Sequence, residues 1–162
     1  MIEFSELLNN QVLFWGVISC LFAQFLKIFF NIFIENKFRF GVIFETGGMP
    51  SSHSSLISAL AAGVGLELGF DTPLFALAVG ISLIVMYDAS GIRRSAGLQA
   101  IEINKISKAL NSNLEEVLKE KLGHTKIEVL VGSLIGPLVT FLGITYLGSP
   151  SNMVSLLNKT LN

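Results

Sequence analysis

An all-α bundle embedded in a membrane is the fold class this sequence predicts, on three observations. Hydrophobic residues make up 51% of the 162 residues and charged ones only 14%, where a soluble domain carries about 25% charged residues. Mean hydropathy is +0.66. Apolar runs long enough for helical spans recur four times, and hydrocarbon tolerates only backbone that satisfies its own hydrogen bonds. The length suits a single domain, residues 1–162, with no linker, internal repeat or low-complexity tract. A net charge of -1 provides no basic footprint for a nucleic-acid partner. Cys20 is the one cysteine, which excludes an intrachain disulfide and reads as a buried or lipid-facing thiol.

The first run, about 12–34, is "VLFWGVISCLFAQFLKIFFNIFI". The start "MIEFSELLNNQ" lacks the basic segment of a signal peptide, so this run is expected to be retained as a span. The second, about 54–70, is rich in Ala, Gly and Ser and starts just after "GGMPSSHSS", where Pro50 suits a first helical turn. The third covers about 73–91. The fourth, about 125–147, carries Gly132, Gly136 and Gly143 for close helix packing and Pro137 for a bend. Between the third and fourth lies a polar stretch in which Leu98, Ile101, Ile103, Ile106 and Leu110 recur at helical spacing. It reads as one or two amphipathic helices on the membrane surface. A capped helix start is expected at Ser112 or Asn113 in "SNLEEVLKE", and the charges at 115–121 read as a solvated helix face.

Four spans make alternate loops share a side, so residues 35–53 and 88–126 meet at one face. That face receives both histidines of the chain, His53 and His124, with Ser51, Ser52, Asp88, Arg93 and Arg94; Lys27 and Glu128 lie one or two turns inside. His124 and Glu128 are four apart, so on a helix a carboxylate would accept the imidazole N–H and fix which ring nitrogen is free. Such an imidazole is a nucleophile. The backbone N–H groups and hydroxyls around Ser51 and Ser52 would make an anion-binding helix start.

These residues resemble the type-2 phosphatidate phosphatase and vanadium haloperoxidase superfamily, in particular its short divergent bacterial branch. That superfamily carries a Lys followed at a distance by Arg-Pro, then Pro-Ser-Gly-His, then Ser-Arg with a downstream His-x-x-x-Asp. "PSSH" at 50–53 looks like the second signature. "LGHTKIEVLVGSLIG" at 122–136 looks like the end of the third, with Glu128 in the aspartate's place. Arg93 and Arg94 in "DASGIRRSAG" look like its arginine portion, about thirty residues from His124 where the usual pattern allows five. An insertion must loop out, and the amphipathic stretch is the candidate. Lys27 is the lysine in the right span; no Arg-Pro follows it, and Lys37 or Arg39 would substitute.

The resemblance implies a membrane-bound phosphatase acting on a lipid-linked phosphate or pyrophosphate, with no metal or other cofactor. His124 would attack phosphorus, Glu128 would hold its tautomer, and His53 would protonate the leaving alkoxide and activate water. Lys27, Ser51, Ser52 and Arg93 or Arg94 would neutralise the phosphoryl oxygens, with Asp88, Lys37 and Arg39 in support.

Each residue also has a simpler reading. Lys27 would snorkel to the head groups, and His53 would neighbour a helix cap. The arginine pair would set topology, and His124 with Glu128 would be an interfacial hydrogen-bonded pair. A metal site through His53, His124, Glu128 and Asp88 matches no strong ligand spacing. The competing function is a noncatalytic lipid-phosphate binding or transport protein that kept the phosphate pocket. The Gly-rich helix faces would also let copies pair. Nine of the eleven Lys and Arg residues fall in the two loops on the site face and only Lys159 lies opposite. The positive-inside rule then places the site in the cytoplasm of a cell-membrane protein, although enzymes of the resembled superfamily mostly work on the outer face.

Overall fold

The computed structural model describes residues 6, 9–35, 41, 47–110 and 117–161. Among them six helices follow in order: α1 (Gln11–Glu35), α2 (Ser52–Leu68), α3 (Pro73–Ser90), α4 (Ile92–Ala109), α5 (Lys126–Tyr146) and α6 (Pro150–Leu161). No strand occurs among these residues. The molecule is a helical membrane bundle, and among the described residues three segments are long and apolar enough to cross a bilayer: Gln11–Phe33, Pro73–Ala109 and Lys126–Tyr146.

The second of the four expected spans behaves differently. At 17 residues, or about 26 Å by the helical rise, α2 is the shortest of the expected spans. It is also the central helix, packed against α1, α3 and α5. Its buried residues are serines, alanines and glycines, whereas Phe33, Ile84 and Leu134 on the helices around it point outward. A small, polar interior inside an apolar shell suits a bilayer, where helices associate through close packing and hydrogen bonds rather than through a hydrophobic drive.

Small residues set the helix spacing. A Cβ on Gly132 would overlap the Ser51 carbonyl, and one on Gly136 would overlap Ser58 and the Ser55 carbonyl; α5 therefore rides directly on the backbone of α2. Ser19 Oγ and Ser55 Oγ, 2.6 Å apart, join α1 to α2. At the far end Trp15 covers Gly143 and donates its indole N–H to Gly148 O at 2.9 Å.

The stretch after α3 corrects one expectation. Gly91 interrupts the helix after Ser90, and α4 supplies the expected amphipathic helix. Of the helix face expected at 115–121, residues 117–121 are described and contain no helix, and neither do residues 122–125; Ser112 and Asn113 lie outside the described residues. Non-local bonding decides this. Asn104 clamps the backbone of Leu118 from both sides, its amide N–H donating to Leu118 O (2.9 Å) and its Oδ1 accepting from Leu118 N–H (3.0 Å). Gly97 lets the arm lie flat, since a Cβ there would meet Glu120 O at 2.8 Å. The insertion is thus a helix out and an extended arm back, ending on Gly123 at the α3–α4 corner.

Candidate functional site

The returning arm places His124. Gly123 adopts φ +75° with its backbone against Arg94, and His124 N–H donates to Ala89 O at 2.9 Å. The ring is 5% exposed, and its Nδ1 lies 2.9 Å from Glu128 Oε2. Because a carboxylate only accepts, Nδ1 is the donor to Glu128, which in the neutral ring leaves the lone pair on Nε2.

The expected pairing is present, but not through a shared helical face. His124 precedes the helix, Thr125 is its N-cap, and Thr125 with Glu128 forms a capping box. Glu128 Oε2 accepts from both the His124 ring and the Thr125 N–H (3.3 Å). The T-x-x-E pattern at 125–128 carries this signal in the sequence, and the spacing argument overlooked it.

His53 stands in the first turn of α2, ahead of its apolar run and on the exposed rim of the same cavity. Partial burial, then the nearby charges of His124, Arg93 and Lys27, hold its imidazole below the ordinary histidine value. That pattern of neighbours draws the constellation together. The cavity measures about 60 Å³, and His53, His124, Asp88, Arg93, Leu122 and Gly123 are among its lining residues. A water needs roughly 10–15 Å³ on this measure, so the space admits a tetrahedral oxyanion. Lys27 does not line the cavity and is buried within the bundle at 2% exposure; its positive charge is among the causes that lower the proton affinity of His53.

Other candidates are placed differently. Both arginines are exposed, but Arg93 lines the cavity and its Nε donates to Asp88 Oδ2 at 2.5 Å, whereas Arg94 does not line it. Adjacent helical positions point about 100° apart, which separates the two side chains. Ser51 is a joint rather than an open anion ligand. Its N–H donates to Glu128 O at 3.0 Å, and its hydroxyl accepts from Ser54 N–H and Oγ. Ser52 is buried and absent from the cavity lining. Pro50 sits ahead of the N-cap instead of in the first turn. Lys37 and Arg39 lie outside the described residues.

The model of the Divergent PAP2 family matches residues 8–139, a span that includes His53, Arg93, His124 and Glu128. The chain belongs to this family. It is also similar to the "Uncharacterized membrane protein YuiD" of Bacillus subtilis (strain 168), 40% identical over 149 residues, covering 83% of this chain and 94% of that protein. No solved structure matches. Both likenesses agree with the membrane bundle. Val85, Ala89, Leu122 and Gly123 also line the cavity and escaped the sequence reading, because no chemistry marks an apolar wall.

Proposed function

We propose that this member of the Divergent PAP2 family is a metal-independent phosphatase for a lipid-linked phosphate or pyrophosphate, working through a phosphohistidine on His124. The observation that carries the reading is the imidazole of His124, tethered at Nδ1 by Glu128 and facing His53 across a phosphate-sized cavity.

In the first step the Nε2 lone pair bonds to phosphorus as the P–O bond to the lipid breaks, and His53 gives its proton to the departing oxygen. In the second, water attacks phosphorus and passes a proton to His53; the P–N bond breaks, releasing inorganic phosphate and freeing Nε2. Glu128 stabilises the positive charge that the ring acquires while phosphorylated. Arg93 and the buried Lys27 offset the charge on the equatorial oxygens, where most of the catalysis of phosphoryl transfer resides. His53 is neutral at pH 7 in the empty site because its proton affinity is lowered; an arriving anion restores that affinity and protonates it for the first step. Asp88 fixes the Arg93 guanidinium. The excess of Lys and Arg in the loops on the site face supports a cytoplasmic site; labelling of Asp71→Cys from outside the cell by an impermeant thiol-reactive reagent agrees with that, and labelling only after lysis reverses it.

The test is phosphate release from a panel of lipid phosphates by the purified protein and by His124→Ala. The parent releases phosphate and forms an acid-labile phosphoprotein; the variant loses both, by about 10³-fold or more. Absence of release across the panel, with lipid phosphate still bound, overturns the enzyme in favour of a binding or transport protein.

A further inference from the structure

Arg93 and His124 line one cavity, although about thirty residues separate them in the chain. A connection of that length, left flexible, opposes the meeting of its ends, because closing a loop costs conformational entropy. Contacts along the way must hold it.

The returning arm meets α4 and the end of α3 in antiparallel order. Leu118 is bonded to Asn104, Glu120 and Leu122 pass over Gly97, Gly123 lies on the backbone of Arg94, and His124 N–H reaches Ala89 O. Gly97, Ala100 and Asn104, three and four residues apart, form one strip of α4, and they are its buried residues. The strip is a seat for backbone: a Cβ on Gly97 would stand 2.8 Å from Glu120 O and 3.0 Å from Leu122 O. Asn104 is its polar anchor. At 4% exposure its amide pairs with both backbone groups of Leu118, as a neighbouring strand would, and also donates to Glu120 Oε1 at 2.9 Å. Aspartate has no donor and leucine neither donor nor acceptor, so of side chains this size only asparagine makes all three bonds.

The arm is also a wall. Leu122, Gly123 and His124 are consecutive, and all three line the phosphate-sized cavity that α3 completes with Val85, Asp88 and Ala89. The hold on Leu118 therefore bears on where the His124 ring stands and on how closed the cavity is beside it.

We infer that Asn104 is a positioning residue for His124, acting through the arm, with Gly97 as the seat on which the arm lies. The inference rests on the reading of His124 as the nucleophile and adds the device that presents it.

The experiment uses the two histidines as each other's control. Full-length protein in detergent micelles is treated with diethyl pyrocarbonate, which acylates neutral imidazole, and the modified sites are mapped by mass spectrometry. In the parent, the exposed His53 reacts and His124, 5% exposed, is protected. Asn104→Leu removes the three bonds at similar volume; Gly97→Leu improves the helix propensity of α4 while its side chain takes the place of the arm. Both variants raise modification of His124 relative to His53 by about tenfold or more as the arm opens locally. Both also lower kcat for phosphate release on the order of 10²-fold, as a misplaced nucleophile does, with KM unchanged. A clamp that only stabilised the insertion would give a different pair of results, since the better helix former at Gly97 would leave His124 protected. Protection of His124 in both variants, or equal gains at the two rings, overturns the inference. Because protection is read without turnover, exposure of His124 by both variants of a protein that releases no phosphate sinks the phosphatase and keeps the positioning, whereas undiminished release by both variants does the reverse.

Discussion

The helix α5 has two neighbours that it treats in opposite ways. Toward α2 it presents Gly132 and Gly136 and lies in backbone contact; toward α3 it presents Ser133 and Pro137 and stands off, leaving an open groove. The difference separates two jobs. Ser51 N–H bonded to Glu128 O ties the start of α2 to the first turn of α5, so the closed seam fixes His53 relative to His124. The open side is free of that duty. In the proposed reaction the closest packing lies where proton and phosphoryl transfer would need registered atoms.

Breaking the seam has the largest effect. Gly136→Leu drives a branched side chain into the Ser55 carbonyl and Ser58, which cannot yield without moving the central helix. Overpacking with backbone displacement exceeds the usual 1–3 kcal/mol, and a loss of more than about 4 kcal/mol removes the folded protein. Size-exclusion chromatography in detergent together with a thermal melt checks it: the variant aggregates or melts far below the parent. A parent-like melt means that the seam is not as closed as the glycines require.

A smaller change separates chemistry from packing at the same seam. Glu128→Gln keeps the capping box, because Gln also serves at the third helical position, but it removes the negative charge beside His124 Nδ1. Phosphate release falls on the order of 10²-fold, about 2.7 kcal/mol of transition-state stabilisation, while the melting temperature shifts by only a few degrees. Equal losses in melt and rate make Glu128 a cap and nothing more.

Much of this arrangement is legible in the sequence, and the reasons differ by element. The spans show because length and apolarity alone define them, and the pairing of His124 with Glu128 shows because capping and helical-face geometry both bring residues four apart together. The arm at 117–125 does not show. Its charged residues have helical spacing, and what unwinds it is Asn104, fourteen residues before Leu118, with the flat surface of Gly97. Nor could Ser51 be read correctly: whether its N–H meets an anion or the Glu128 carbonyl depends on how closely Gly132 lets α5 approach. The choice between Arg93 and Arg94 depends on helical phase after the break at Gly91, which a pair of adjacent arginines does not encode.

The smallest effect tests the open side. Gly80, on α3, has nothing within 4 Å of where a Cβ would stand, in contrast to Gly132 and Gly136, and it shares a helical face with Ile84 and Tyr87, which are both exposed. Alanine there removes the helix penalty of glycine and meets no neighbour, so Gly80→Ala leaves the melt unchanged or raises stability by up to about 1 kcal/mol. Phosphate release stays at the parental level. The informative failure is a loss of stability: a methyl group that hurts at Gly80 must be striking another helix, and with none near it among the described residues it would be a second copy packed through α3. That would turn the α3 wall of the groove into part of a subunit interface.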